Sequence, residues 1–132
     1  MWGRIDYGQV PTLYGGLELD MNKELNEFMA VNVMRWDMGT HAPTMRRTYP
    51  AYFDNNGFIM LVANWHPDTD LNQAMMCADK VKEQHLFADI DIGHEILRLY
   101  NMKNGSYITK EYDGIEELPL AICEAIKQAV EV

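Results

Sequence analysis

The chain has 132 residues, of which 48% are hydrophobic and 23% are charged, and its net charge is −9. This length suits one domain, and the apolar content excludes an intrinsically disordered chain. The acidic balance excludes ordinary binding to duplex nucleic acid, which needs a basic surface, and no apolar run in the sequence is long enough to cross a membrane.

The first twenty residues differ in composition from the rest. They are rich in glycine and aromatic residues and show no helical period, whereas a regular pattern starts at Met21. We therefore predict an N-terminal arm over residues 1–20 and a single domain over residues 21–132, with Met21 as an alternative start. An arm of this kind packs on a neighbouring subunit or frays, and the sequence leaves both alternatives open.

The first helix is predicted from Asn22 to about Trp36, with the chain turning near Gly39. Asp20 or Asn22 is placed to cap it, because either side chain can accept hydrogen bonds from the free N–H groups of the first turn. Apolar residues recur at helical spacing and predict its buried face, which is formed by Leu25, Phe28, Met29, Val33 and Trp36.

The least regular stretch covers Met38–Asn56. Pro43 and Pro50 interrupt every periodic pattern in it. We predict a long loop, and loops of this length in small domains are functional or mobile. It carries Arg46 and Arg47, the one pair of adjacent basic residues in the sequence.

A short strand and a well-marked helix follow. The apolar run Gly57–Asn64 predicts a strand that is packed on both faces or covered in the centre of a sheet. The helix lies within Trp65–Glu83, after Pro67, with Asp70 as its cap and Gln73 at the spacing that reaches back to the Asp70 backbone. Its predicted apolar stripe holds Leu71, Ala74, Met75, Ala78 and Val81.

The last third of the chain predicts a short or edge strand, a hairpin and a helix. The strand covers Leu86–Ile92, and the hairpin joins Glu95–Asn101 to Ser106–Tyr112 through an Asn-Gly turn. The closing helix runs from about Leu118 to Val130. These elements predict an α+β fold, an α/β sandwich in which three main helices pack on an antiparallel or mixed sheet of three to five strands.

Two cysteines, Cys77 and Cys123, lie in different predicted helices among apolar neighbours. They are too few for a secreted disulfide scaffold. Buried reduced thiols and a bridge between the two helices are both open alternatives. No signal peptide is apparent at the start, so we expect a cytoplasmic protein.

Three segments follow a recognisable order along the chain. Asn26–Trp36 reads NEFMAVNVMRW, Trp65–Val81 reads WHPDTDLNQAMMCADKV and Leu118–Val130 reads LPLAICEAIKQAV. In this order they resemble the phage ABA sandwich domain family, small proteins of phages and prophages. The likeness covers most of residues 21–132 and leaves residues 1–20 outside. It implies a sheet with helices packed around it and a phage or prophage origin, hence the cytoplasm of the host cell.

The resemblance implies no activity, because the shared positions are of helix-cap and packing types. These positions are Met34, Trp36, Trp65, Pro67, Asp70, Ala74, Ile122 and Cys123. Arg35 stands where the family pattern often has glycine, so we expect the turn after the first helix to differ.

The arginine pair and the surrounding aromatic residues are the best candidate for a binding site. Guanidinium groups bind phosphates or carboxylates through two parallel hydrogen bonds, and aromatic rings stack on bases. We therefore predict six ligand-binding residues, namely Arg46, Arg47, Tyr49, Tyr52, Trp36 and Trp65. A solvated loop whose arginines pair with surplus acid is the alternative.

A metal site is a further alternative. Asp89, Asp91 and His94 supply the oxygen and imidazole ligands that suit Mg²⁺ or Mn²⁺ in a small metal-dependent hydrolase or nuclease. The motifs of a zinc site, a phosphate-cradling loop and a serine or cysteine nucleophile are not found in the sequence, so no cofactor is predicted.

These observations favour a non-enzymatic phage or prophage accessory protein. We expect it to counteract host defence by binding a host protein or by sequestering a small anionic, nucleotide-like ligand. A phage structural or assembly protein is another alternative. We also predict a homo-oligomer, a dimer, because the aromatic arm and the tryptophans exceed what one small monomer needs to bury.

Overall fold

The computed structural model describes residues 22–131, which form two three-stranded antiparallel sheets and three helices. The predicted α+β sandwich with three main helices is thereby confirmed, with its six strands divided between two sheets. The predicted N-terminal arm and the Asp20 cap lie outside the described residues. Within those residues, no helix is both long enough and apolar enough to span a membrane.

Helix α1 runs through residues 22–33, and its last part, Met29–Val33, is a π-helix. The other helices are α2 at Leu71–Lys80 and α3 at Leu118–Glu131. The strands are β1 at Asp37–Thr44, β2 at Arg47–Asp54, β3 at Gly57–Leu61, β4 at Leu86–Asp91, β5 at Ile96–Asn101 and β6 at Tyr107–Glu111.

The helices connect the two sheets. Strands β1, β2 and β3 form the first sheet in that order, and β4, β5 and β6 form the second. Helix α3 contacts β5 and β6, α2 contacts β4, and α1 contacts both helices and β1. Side chains alternate across a strand, so Leu97 and Leu99 on β5 face α3 and are fully buried. One continuous core results.

The prediction of a long loop over Met38–Asn56 is wrong, because this stretch forms the β1–β2 hairpin. Pro43 lies in the irregularity where the β1–β2 register shifts between His41 and Thr44. Pro50 lies beyond the end of β3, whose pairing with β2 stops at Ala51. Proline lacks an N–H group, and both positions tolerate that loss.

The strand predicted at Gly57–Asn64 is shorter than expected and lies at an edge of the first sheet. It ends at Leu61, and a 3₁₀ turn over Val62–Asn64 follows. Met60 packs against the core, but Phe58 is exposed and stacks on His41. The prediction of a covered strand is therefore wrong, because Phe58 belongs to an aromatic cluster on the outer face of the sheet.

The predicted start of α2 is confirmed. Asp70 has an extended backbone, and its carboxylate accepts a hydrogen bond from the N–H of Gln73 at 3.1 Å. The Gln73 side chain does not reach back to the Asp70 backbone as predicted. It accepts from the His66 N–H and donates to the Asn64 carbonyl. Gln73 thus ties the segment before the helix to its first turn.

The buried face of α2 is rotated from the predicted stripe. Met75 is 43% exposed, whereas Cys77 takes a buried position between Ala74 and Ala78. Cys77 and Cys123 are both free and buried, so the reduced-thiol alternative is confirmed. Burial raises the pKa of Cys77 to about 12 and also raises the pKa of Cys123.

The later elements match their predictions. Strand β4 lies within the predicted segment and at an edge of its sheet, and β5 and β6 form the predicted hairpin. Gly105 takes the positive φ of 76° that its turn requires. The closing helix α3 has Pro119 in its first turn, as expected.

Helix α1 ends three residues before the predicted Trp36 because Arg35 adopts a left-handed backbone conformation with φ of 64°. The Trp36 N–H then turns back and donates to the Ala30 carbonyl at 2.9 Å. Glycine is the usual residue in this conformation at a helix end. Arg35 thus adopts the backbone conformation that glycine favours at this position.

We expect Arg35→Gly to raise the free energy of unfolding by about 0.5–1 kcal/mol, because glycine removes the steric clash of a left-handed Cβ but has more freedom when unfolded. Urea denaturation measures the change. Arg35→Ala is the matched control, since it removes the same charge and keeps the Cβ. A glycine variant no more stable than the alanine variant would contradict the expected strain.

Candidate functional site

A cleft of about 620 Å³ opens between α1, the first sheet and the segment that leads into α2. Small-molecule sites commonly have volumes of about 300–1,000 Å³. We call it the Trp65 cleft. Its apolar lining consists of Met38, Pro50, Tyr52, Val62, Ala63 and Trp65. Its polar lining consists of Asn22, Lys23, Asn26, Glu27, His66, Asp68 and Thr69.

The inner wall of the Trp65 cleft is an aromatic cluster. Trp65 is 2% exposed, and its ring packs edge-on against Trp36 with the centroids 4.7 Å apart. The Tyr52 ring lies 5.8 Å from the Trp36 ring. Burial, followed by the charge of Glu27, raises the pKa of Tyr52. These rings give the cleft a fixed apolar wall.

Three hydrogen bonds, which we call the polar joint, connect α1 to the segment that leads into α2. The Asn26 side-chain amide donates to the Asp68 carboxylate at 2.9 Å, and the Asp68 N–H donates back to the Asn26 side chain at 3.2 Å. The Trp65 indole N–H donates to the Asn26 backbone carbonyl at 2.8 Å. Asp68 is 7% exposed and is the one buried charged residue among residues 22–131. The joint therefore holds the cleft in shape without a ligand.

The structure brings three of the six predicted ligand-binding residues together. Tyr52 and Trp65 line the Trp65 cleft. Trp36 packs against both of them but is not among the lining residues. Three of the four predicted aromatic residues therefore cluster, with Trp36 supporting the two that line the cleft, and their binding of a ligand stays a prediction.

The arginine pair lies elsewhere. Arg46 and Arg47 are exposed at the turn of the β1–β2 hairpin, and Tyr49 is half-buried on β2. Side chains alternate along β2, so Arg47 and Tyr49 face the side opposite Tyr52. The structure thus separates these three residues from the cleft. Within residues 22–131, no carboxylate forms an ion pair with Arg46 or Arg47.

Sequence reasoning missed the polar rim of the cleft. Lys23 belongs to the exposed face of α1, and His66 and Thr69 belong to the segment around Pro67. The polar positions on α1 and the capped start of α2 were visible in the sequence. Their proximity was not, because it depends on the hydrogen bonds between Asn26 and Asp68.

The alternative metal site is not assembled. His94 and Asp91 hydrogen-bond through the imidazole and a carboxylate oxygen at 2.9 Å, and bonds from His94 lower the pKa of Asp91. Asp89 lies opposite Arg98 in the register of β4 and β5. In the described part of the chain, no three His, Cys, Asp or Glu side chains lie close enough to hold a metal ion.

Comparison with known proteins identifies a family. The family model described as the phage ABA sandwich domain matches residues 27–126, a range that starts within α1 and ends within α3. It therefore includes both sheets and most of the residues that line the Trp65 cleft. No curated protein and no solved structure matches the chain.

Proposed function

The chain belongs to the phage ABA sandwich domain family, and from this premise we propose that it is a non-enzymatic phage or prophage binding protein. We propose further that it counteracts host defence by sequestering a small, anionic, nucleotide-like ligand in the Trp65 cleft. The observation that carries this proposal is the cleft itself, which combines an aromatic wall with a polar rim.

The size and the lining support a ligand of this class. The cleft has about 620 Å³ for a ligand, and its apolar lining provides a surface for a planar base. Tyr52 and Trp65 are almost fully buried and are held in place by their contacts with Trp36. Little rearrangement is needed on binding, which favours affinity.

The rim supplies hydrogen-bond donors for the anionic part of the ligand, and one of them is the positively charged Lys23. Of the two carboxylates that also line the cleft, Glu27 and Asp68, Asp68 is already bonded to Asn26. Lys23 and His66 line the cleft from two different segments, one on α1 and one before α2. Both are exposed, so they remain accessible to a ligand that enters from solvent. Lysine donates three hydrogen bonds to phosphate oxygens, and histidine donates from its ring. Sequestration requires this binding and no chemical step.

We expect Lys23→Glu to weaken binding of a nucleotide by about tenfold or more, because it replaces an attractive charge with a repulsive one. Isothermal titration calorimetry with the full chain measures the affinity, using nucleoside monophosphates and cyclic dinucleotides as probes. Native mass spectrometry of the protein from an infected host tests for a ligand that co-purifies.

Lys103→Glu is the matched control, since it makes the same charge change at an exposed residue outside the cleft lining. It is expected to leave the affinity within about twofold. Absence of heat and of co-purified ligand at millimolar probe would overturn the proposal. Equal losses in the two variants would show that any binding depends on overall charge and not on this cleft.

A further inference from the structure

The turn of the β1–β2 hairpin is a positively charged projection on an acidic protein. Residues 38–53 contain no acidic side chain, although the chain has 20 Asp and Glu residues in all. We call Met45, Arg46 and Arg47 the arginine tip. Residues 42–48 are all exposed, and Met45 is fully exposed. An exposed apolar side chain next to two positively charged residues is typical of a contact surface.

The part of the β1–β2 hairpin nearest its turn has only two strands. Strand β3 pairs with β2 from Ala51 to Asp54, whereas β1 pairs with β2 as far as Arg47. A two-stranded ribbon without a third strand or a covering helix is marginally stable in water. Contact with another surface at the arginine tip would stabilise it.

A groove of complementary character lies between α1 and α3. It has a volume of about 670 Å³ and an apolar floor that includes Phe28 and Val31. Val31 is among the exposed large apolar residues. Glu24 and Glu27 line the groove from α1, one turn apart. We call it the α1–α3 groove.

The charges on the α3 side of this groove are already satisfied. Lys127 pairs with Glu131 at 2.9 Å and lies 5.3 Å over the Phe28 ring. Glu124 pairs with Lys110 at 3.0 Å. Within residues 22–131, Glu24 and Glu27 form no ion pair with a cation. The groove therefore presents net negative charge above an apolar floor.

We propose that the arginine tip docks in the α1–α3 groove of a second copy, whose own tip docks reciprocally to form a symmetric dimer. Met45 packs on Phe28 and Val31, and the two guanidinium groups pair with Glu24 and Glu27. A second copy is the occupant because one chain carries both complementary surfaces. The reciprocal arrangement closes the assembly at two subunits. The contact needs no ligand in the Trp65 cleft, although Glu27 lines both that cleft and the groove.

Analytical ultracentrifugation of the full chain with reversed charges tests this contact. We expect Arg46→Glu with Arg47→Glu to raise the dimer dissociation constant at least tenfold, and Glu24→Arg with Glu27→Arg to do the same. Raising the salt from about 0.1 M to about 1 M shortens the screening length from ~10 Å to ~3 Å, so it should also weaken the wild-type dimer.

Mixing the two reversed proteins gives the sharpest result. In the mixture both reciprocal contacts become complementary again, so we expect a heterodimer of near wild-type affinity although each protein alone is monomeric. This recovery also shows that both variants are folded. Lys82→Glu with Lys103→Glu is the control for charge reversal elsewhere, and it should leave the dimer unchanged.

A monomeric mass at every concentration would overturn the proposal, as would a dimer insensitive to both reversals or a mixture that fails to associate. Retention of a host protein or a single-stranded nucleic acid by the arginine tip, in place of a second copy, would also overturn it. A heterodimer in the mixture, lost again in high salt, would establish the contact.

Discussion

Trp65→Ala is expected to lower the free energy of unfolding by about 3–5 kcal/mol, the usual loss for a fully buried large aromatic side chain. Trp65 is 2% exposed and packs against Trp36, and its indole N–H bonds the Asn26 carbonyl. Truncation therefore removes buried apolar area, opens a cavity between α1 and the first sheet, and leaves that carbonyl without its donor. Urea denaturation followed by far-UV circular dichroism measures the loss.

Two further variants separate the contributions at Trp65. Trp65→Phe keeps an aromatic ring and removes the indole N–H, so a loss of about 0.5–1.5 kcal/mol is expected, which is the usual net contribution of one hydrogen bond. Met102→Ala changes an exposed apolar residue and should alter stability by less than about 0.5 kcal/mol. If Trp65→Ala lost no more than Met102→Ala, Trp65 would not hold the cleft wall.

The helices were predictable because their signals are local. The Asp70 side chain caps α2 three residues before Gln73, and Pro119 opens α3, so each helix start is encoded within one turn. The hairpin β5–β6 was predictable for the same reason, since its Asn-Gly turn fixes both strands. Such features need no contact with distant parts of the chain.

The β1–β2 hairpin was not predictable from local signals. Pro43 and Pro50 disfavour strands in general, and they are tolerated here because of the register irregularity and the early end of β3. Both conditions depend on how β2 pairs with its neighbours. The sequence therefore indicated a loop where the chain forms the edge and centre of a sheet.

For the candidate site, the sequence predicted some of the residues but not which of them lie close together. Tyr52 and Trp65 were named from residue type, and the structure places them in one cleft. Arg46 and Arg47 are close to Tyr52 in sequence but lie at the far end of the same hairpin, because a strand rises about 3.3 Å per residue. Proximity along the chain was a poor guide to proximity in space at this point.

We expect Asn26→Ala to lower the free energy of unfolding by about 3 kcal/mol, because it leaves the carboxylate of Asp68 buried without the amide donor. Asp68→Ala removes that carboxylate, so a smaller loss of about 1–3 kcal/mol is expected, from the unpaired Asn26 amide. The Asn26 amide donates to the Asp68 carboxylate at 2.9 Å, and the Asp68 backbone N–H donates to the Asn26 side-chain oxygen at 3.2 Å. Urea denaturation of both variants and of the double variant gives the coupling.

The double variant is expected to lose about 1–2 kcal/mol less than the sum of the single losses, as groups in direct contact do. Asp79→Ala is the surface control, because Asp79 is exposed and, among residues 22–131, pairs with Lys82 alone. An exposed ion pair contributes about 1 kcal/mol at most. The Trp65 indole bonds the backbone of residue 26, which Asn26→Ala preserves. Losses that add within about 0.3 kcal/mol would therefore mean that α1 is held to the segment before α2 by the tryptophan alone.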